Sequence, residues 1–170
     1  FTTDGNGQSR ITGAVIRQAH VSNLVNAYRQ RGHFYADINP LTEPPTTREE
    51  LDLRSFDLDE SDLYKTFSTS LAAAPTLKLR ELIEYLDETY CRSIGVEVMQ
   101  IEELDQRTWL LEKMEASKNR LALSHEEQLH ILRCLTEAEV LEQFIHKSYV
   151  GAKRFSLEGA ESMIPLLDLL

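Results

Sequence analysis

Leu79, Leu82, Ile83, Leu86 and Tyr90 recur at the three- and four-residue spacing that gathers side chains on one face of a helix. Glu81, Glu84, Asp87 and Glu88 take the polar side, so the stretch reads as an amphipathic helix whose apolar stripe needs a partner, with Thr76 placed to cap it. The same period returns in Ile11, Val15, Ala19, Val21, Leu24, Val25 and Tyr28. It predicts a helix over 11–31 that Gly32 ends by taking left-handed backbone. A third helix is predicted from about Leu104, with Trp109, Leu110 and Met114 at its heart. Ser124-His125-Glu126-Glu127 and Thr136-Glu137-Ala138-Glu139 both fit the capping box, in which hydroxyl and carboxylate satisfy each other's free amides. They predict two consecutive helices, the first carrying Leu129, Leu132 and Leu135 and the second Leu141, Phe144, Ile145 and Tyr149, ended by Gly151. A last helix opens near Ala160.

Ile94-Gly95-Val96-Glu97-Val98-Met99-Gln100-Ile101 has period two and β-branched residues, the pattern of a strand. A lone strand needs a pairing partner, which the sequence does not supply. The predicted fold class is therefore mainly α, a bundle-like set of helices with one short β-strand near 94–101. Glu43-Pro44-Pro45-Thr46-Thr47 reads as an extended connection, a short helix near Asp59 or Ser61 carries Leu63 and Phe67, and Ser68 to Pro75 reads as a loop. The stretch 42–75 is expected to be weakly ordered or to lean on groups outside the chain.

Composition narrows the function. The 170 residues carry 28 acidic and 18 basic side chains, a formal net charge of −10, with no Lys/Arg-rich run to grip phosphates. Nucleic-acid binders concentrate positive charge to displace counterions, so that class is excluded. No apolar run approaches the roughly 20 residues that span a bilayer. Cys91 and Cys134 form no CxxC pair and read as reduced thiols in core helices. His125 and His130 are five apart, off the spacing that puts two imidazoles on one helix face; no metal site is expected from them. His146 sits near a helix end, where an imidazole suits the macrodipole. The carboxylates follow the polar faces and first turns of helices, and the common nucleotide, hydrolase and zinc motifs are absent. Phe1 at one end and the apolar 163–170 at the other make a piece of a longer chain the expectation.

Lys153-Arg154-Phe155-Ser156-Leu157-Glu158-Gly159 differs from the rest, packing two cations, a hydroxyl and an acid between Gly151 and Gly159. It is either a helix connection in which Arg154 pairs with Glu158, or a loop presenting a guanidinium and backbone amides to an anion such as a dicarboxylate. Spacing does not choose between them.

The string from Tyr149 to Leu166, which contains that loop, resembles the decarboxylating dehydrogenase component of the 2-oxoglutarate dehydrogenase complex. Three more stretches resemble it in the same order: Asn26-Ala27-Tyr28-Arg29-Gln30-Arg31-Gly32-His33 followed by Ala36-Asp37-Ile38-Asn39-Pro40-Leu41; Glu88-Thr89-Tyr90-Cys91 with Ser93-Ile94-Gly95-Val96-Glu97; and Leu135-Thr136-Glu137-Ala138-Glu139. Arg92 stands where the family has glycine, and 44–45 and 68–75 match no family pattern. The resemblance implies part of a far larger thiamine diphosphate- and Mg²⁺-dependent oxidoreductase of the tricarboxylic acid cycle. That enzyme decarboxylates 2-oxoglutarate and passes the succinyl unit to a lipoyl-bearing succinyltransferase. It further implies a helical region over 1–150 before the catalytic domains, with 151–170 opening the first of them. The thiamine signature and the substrate-binding histidines belong downstream, so no catalytic, cofactor or metal residue is assigned within the chain. Arg154, Ser156 and Glu158 are candidates only for a place near the active-site wall or the dimer contact. Expected partners are the remainder of the same polypeptide, a second copy of the parent and the succinyltransferase, with no nucleic acid and no membrane. The expected compartment is bacterial cytoplasm, or the mitochondrial matrix for a eukaryotic source. Two other readings stand beside this one: the related component acting on 2-oxoadipate, and an autonomous helical interaction module.

Overall fold

The computed structural model describes residues 5–43, 45–151, 153, 156–157 and 159–168, with side chains from Gly13 onward. The order is α1 (Gly5–Arg31), β1 (Thr66–Ser68), β2 (Thr76–Lys78), α2 (Leu79–Tyr90), α3 (Leu104–Ser117), α4 (His125–Ser148) and α5 (Met163–Asp168), with short 3-10 turns between α1 and β1. The mainly helical class holds. No helix among the described residues is long and apolar enough to cross a membrane. The chain divides into two compact units, 1–120 and 121–170.

The first unit is organised by the two stripes that the sequence announces. Val21, Leu24, Val25 and Tyr28 of α1 and Leu79, Leu82, Leu86 and Tyr90 of α2 are buried in a single cluster. Burying an aliphatic side chain of this size is worth about 1.5–3 kcal/mol, so this seam holds the unit. The stretch expected to be weakly ordered contributes to it, because Leu51, Leu58, Phe67 and Leu71 are also buried there. Asp59 caps a 3-10 turn at Glu60–Asp62, not a helix, and Phe67 lies on a strand.

The strand assignment is corrected. Among the described residues the strands are β1 and β2, an antiparallel ribbon with Phe67 opposite Leu77. Residues 94–98 keep the alternation, with Val96 and Val98 buried and Glu97 exposed, but no strand pairs with them. Period two records which side chains are inward; it does not supply a hydrogen-bonding neighbour. The ribbon leads straight into α2, and its backbone replaces the cap expected from Thr76. Leu79 and Arg80 donate their N–H groups to the carbonyls of Lys65 and Leu63, at 3.1 and 3.0 Å, and Glu81 accepts from the Lys78 N–H. On the other side of β1, the Gln18 amide accepts from the Ser68 N–H (3.0 Å) and donates to its carbonyl (2.7 Å).

Gly32 does not take the left-handed conformation; among the described residues the glycines with positive φ are Gly151 and Gly159. α1 runs on into a 3-10 turn, Gly32–Tyr35, and a Cβ on Gly32 would lie 2.5 Å from Tyr90 Cβ. Its missing side chain is what lets α1 and α2 meet. In α3 the buried face carries Leu111 and Glu115, while Trp109 is more than half exposed.

In the second unit α4 is one helix of 24 residues where two were expected. The first capping box forms, with Ser124 N–H to Glu127 Oε2 at 2.7 Å and Glu127 N–H to Ser124 Oγ at 3.3 Å. The second does not. Thr136 lies mid-helix and its hydroxyl donates to the Leu132 carbonyl at 2.7 Å. Ser124→Ala is accordingly expected to cost about 1 kcal/mol, whereas Thr136→Ala stabilises by up to about 0.7 kcal/mol because alanine is the better interior residue. Hydrogen exchange of the α4 amides measures both; a loss of protection in Thr136→Ala would mean that a helix start had been removed.

Candidate functional site

Two of the stretches that carry the resemblance, those beginning at Asn26 and at Glu88, lie in or beside the buried polar heart of the first unit. Arg29 projects from α1 and Glu115 from α3, and they meet as a two-pronged ion pair, Nε to Oε1 at 2.7 Å and Nη2 to Oε2 at 3.0 Å. The Tyr90 hydroxyl donates to the same carboxylate at 2.6 Å, and the Tyr85 hydroxyl donates to the Glu115 carbonyl. Burial alone would lower the Arg29 pKa, but the hydrogen bonds and charge of Glu115, helped by Tyr90, leave it above its ordinary value. Burial first, then the Glu115 charge, pushes the Tyr90 phenol well above its usual range. The carboxylate thus has charged and neutral donors and no open side for substrate: Glu115 is 2% exposed. This arrangement positions three helices.

One turn away, Asp87 accepts from the Tyr28 hydroxyl at 3.2 Å and pairs with Arg48. Cys91 lies under this group; burial and then the Asp87 charge push its thiol up to about 12, which leaves it protonated and unreactive. Folding raises the pKa of Cys91, Tyr28 and Tyr90. The folded chain therefore retains protons that the unfolded chain releases, and stability present below the ordinary thiol value of 9.0 declines from there through about 12. The urea midpoint should fall as pH is raised through that window, and Cys91→Ala should flatten its first part. A midpoint level to about pH 11 would contradict this burial.

The remaining face of the same α1 motif is open. Asn26, Gln30 and Arg31 line a polar hollow of about 480 Å³ with Glu50 and Phe56, and Arg31 pairs with Glu50 across it.

Of the loop candidates in the second unit, Arg154 and Glu158 lie outside the described residues, so their expected pairing does too. Ser156 is described: its hydroxyl donates to Glu142 Oε2 at 3.1 Å, and the Leu157 N–H donates to Oε1 at 3.0 Å. The α4 carboxylate thereby fastens the loop. Glu142 was not singled out in the sequence, since a mid-helix glutamate looks like any solvated one. Cys134 is not a core thiol. It is half-buried on α4, 3.7 Å from His130 Nε2, which lies 2.5 Å from Asp168 Oδ2. The four-residue spacing of His130 and Cys134 was there to be read; the approach of Asp168 was not.

Fold and site together define a mainly helical segment whose first unit is built around a buried arginine–glutamate pair. No protein-family model matches the chain. Curated proteins do. The chain is 41% identical over 152 residues to the 2-oxoglutarate dehydrogenase E1 component of Haemophilus influenzae, covering 86% of this chain and 16% of that protein. It is 42% identical over 156 residues to the multifunctional 2-oxoglutarate metabolism enzyme of Mycolicibacterium vanbaalenii, covering 89% and 12%. It is 39% identical over 160 residues to the 2-oxoglutarate dehydrogenase E1/E2 component of Corynebacterium glutamicum, covering 91% and 13%. The chain belongs to the 2-oxoglutarate dehydrogenase E1 family. It spans 12–16% of the length of the relatives named here.

Proposed function

We propose that the chain is the scaffold and interface part of a 2-oxoglutarate dehydrogenase E1 component, inactive by itself. The parent would decarboxylate 2-oxoglutarate with thiamine diphosphate and Mg²⁺ and transfer the succinyl unit to a lipoyl-bearing succinyltransferase, acting as a homodimer in the cytoplasm. Residues 1–150 are read as the helical region preceding the catalytic domains and 151–170 as the opening of the first, with Ser156, Arg154 and Glu158 near its wall or the dimer contact. The observation that carries the reading is the surface of the second unit. Leu132, Leu141, Phe144, Val150, Leu166 and Leu167 are all more than half exposed, while in α4 only Ala138 among the described residues is buried. Apolar area on that scale marks a contact surface, here for further parts of the parent.

The test is calorimetric titration of the chain with thiamine diphosphate, Mg²⁺ and 2-oxoglutarate, with sedimentation of the same sample. The expected result is no binding together with concentration-dependent self-association through the apolar helical surface. Micromolar cofactor binding, or turnover of 2-oxoglutarate, would place the reaction centre within these residues and overturn the scaffold role. A clean monomer at high concentration would favour an autonomous module.

A further inference from the structure

His130 and Cys134 stand four residues apart on α4, the spacing that puts two side chains on one helix face. Asp168 of α5 reaches the same point from the neighbouring helix. Its Oδ2 lies 2.5 Å from His130 Nε2, Cys134 Sγ lies 3.7 Å from that same nitrogen, and the three donor atoms all fall within 4.8 Å of one another. One imidazole nitrogen faces both partners, and this detail decides between two chemistries. A nucleophilic relay uses both ring nitrogens, one toward the thiol and the other toward the orienting carboxylate. Three donors converging on one locus are instead arranged as ligands around an ion.

We propose that His130, Cys134 and Asp168 form a site for a divalent transition-metal ion of the zinc class, with the fourth position left to water or a small ligand. A thiolate and a carboxylate cancel the two charges of the ion, and imidazole adds a neutral nitrogen. This mixed sulfur, nitrogen and oxygen set suits zinc and disfavours Mg²⁺ and Ca²⁺, which take oxygen shells. Metal–ligand distances of about 2.0–2.3 Å separate tetrahedral donors by roughly 3–4 Å. Loading therefore opens the His130–Asp168 contact slightly, which two half-exposed side chains accommodate by small rotations. His130 also lines a hollow of about 300 Å³ with Leu123, Glu126, Glu127 and Ile131, giving the imidazole an approach from solvent. The ion would tie α5 to α4 and release the Cys134 thiol proton on binding.

The experiment is titration of the reduced, full 170-residue chain with Co²⁺ as an optical probe, followed by Zn²⁺ competition. The expected result is one equivalent bound, with a thiolate-to-cobalt charge-transfer band and tetrahedral ligand-field bands that Zn²⁺ abolishes. Zn²⁺ should also shield Cys134 from alkylation, mapped by peptide mass spectrometry, while buried Cys91 stays unlabelled throughout. Cys134→Ser should remove the charge-transfer band, and His130→Gln and Asp168→Asn should each weaken Zn²⁺ by more than about 10-fold. These side chains are at least partly exposed, and an unchanged helical circular dichroism spectrum checks that the variants fold. An octahedral cobalt spectrum with Cys134 alkylated at its original rate would overturn the site, as would metal stoichiometry and affinity unaffected by the three substitutions.

Discussion

Glu115→Ala is expected to destabilise the first unit by about 3–5 kcal/mol, the largest effect of any single substitution considered for this chain. The cost comes from what remains. The Arg29 side chain is 11% exposed, and without Glu115 its guanidinium stays charged in a buried place with no counter-charge. The Tyr90 hydroxyl loses its acceptor as well. Glu115→Gln keeps the shape and one acceptor oxygen and should fall between wild type and alanine. The informative variant is the double replacement Arg29→Met with Glu115→Leu, which removes both charges; it should recover much of the loss, since apolar pairs often replace buried ion pairs without penalty. Urea unfolding followed through Trp109 fluorescence and helical circular dichroism measures all four proteins. A Glu115→Ala cost below about 1 kcal/mol would mean that water reaches the pair and that it behaves as a surface bridge.

Gly32→Ala comes next, at about 1–3 kcal/mol. The added Cβ would stand 2.5 Å from Tyr90 Cβ and 3.3 Å from the Tyr90 carbonyl oxygen. Neither atom is the movable tip of a long side chain, so relief requires the ends of α1 and α2 to part. Because Tyr90 is completely buried and holds Glu115, that movement would strain the ion pair too. Gly13→Ala makes the control. Nothing lies within 4 Å of a Cβ at Gly13, inside the same helix, so there alanine should stabilise by about 0.5–1 kcal/mol. Thermal unfolding of the two variants should shift in opposite directions; matching shifts would remove the close-approach explanation.

Much of the helical frame was legible because burial of one face imposes a period. The stripes of α1 and α2 appear in the sequence as they appear in the core. Legibility failed where a local signal had a second use. Thr136-Glu137-Ala138-Glu139 has the letters of a helix start, yet preceding turns already occupy the backbone amides that a cap would satisfy, and the hydroxyl turned to Leu132 instead. The alternation at 94–98 identified the buried valines, and the pairing partner that the sequence did not supply does not appear among the described residues, so the stretch forms no strand. The ribbon that does form was missed because three-residue strands are too short to show a period. The polar centres were hidden for a different reason. Arg29 with Glu115 and His130 with Asp168 are joined across helices, and nothing in the local pattern of a glutamate or an aspartate tells a solvated face from one that meets a partner.

The Gln18 amide on Ser68 has a consequence for how the molecule meets its neighbours. An open ribbon edge presents an N–H and a carbonyl that invite another chain to add a strand. In β1 the outward donor and acceptor of Ser68 are both taken by one glutamine side chain reaching across from α1. At that residue the side-chain amide mimics the strand that would otherwise extend the ribbon. A strand adding along β1 would first have to displace this glutamine, so at Ser68 the ribbon is less open to another chain than its exposed backbone alone would make it.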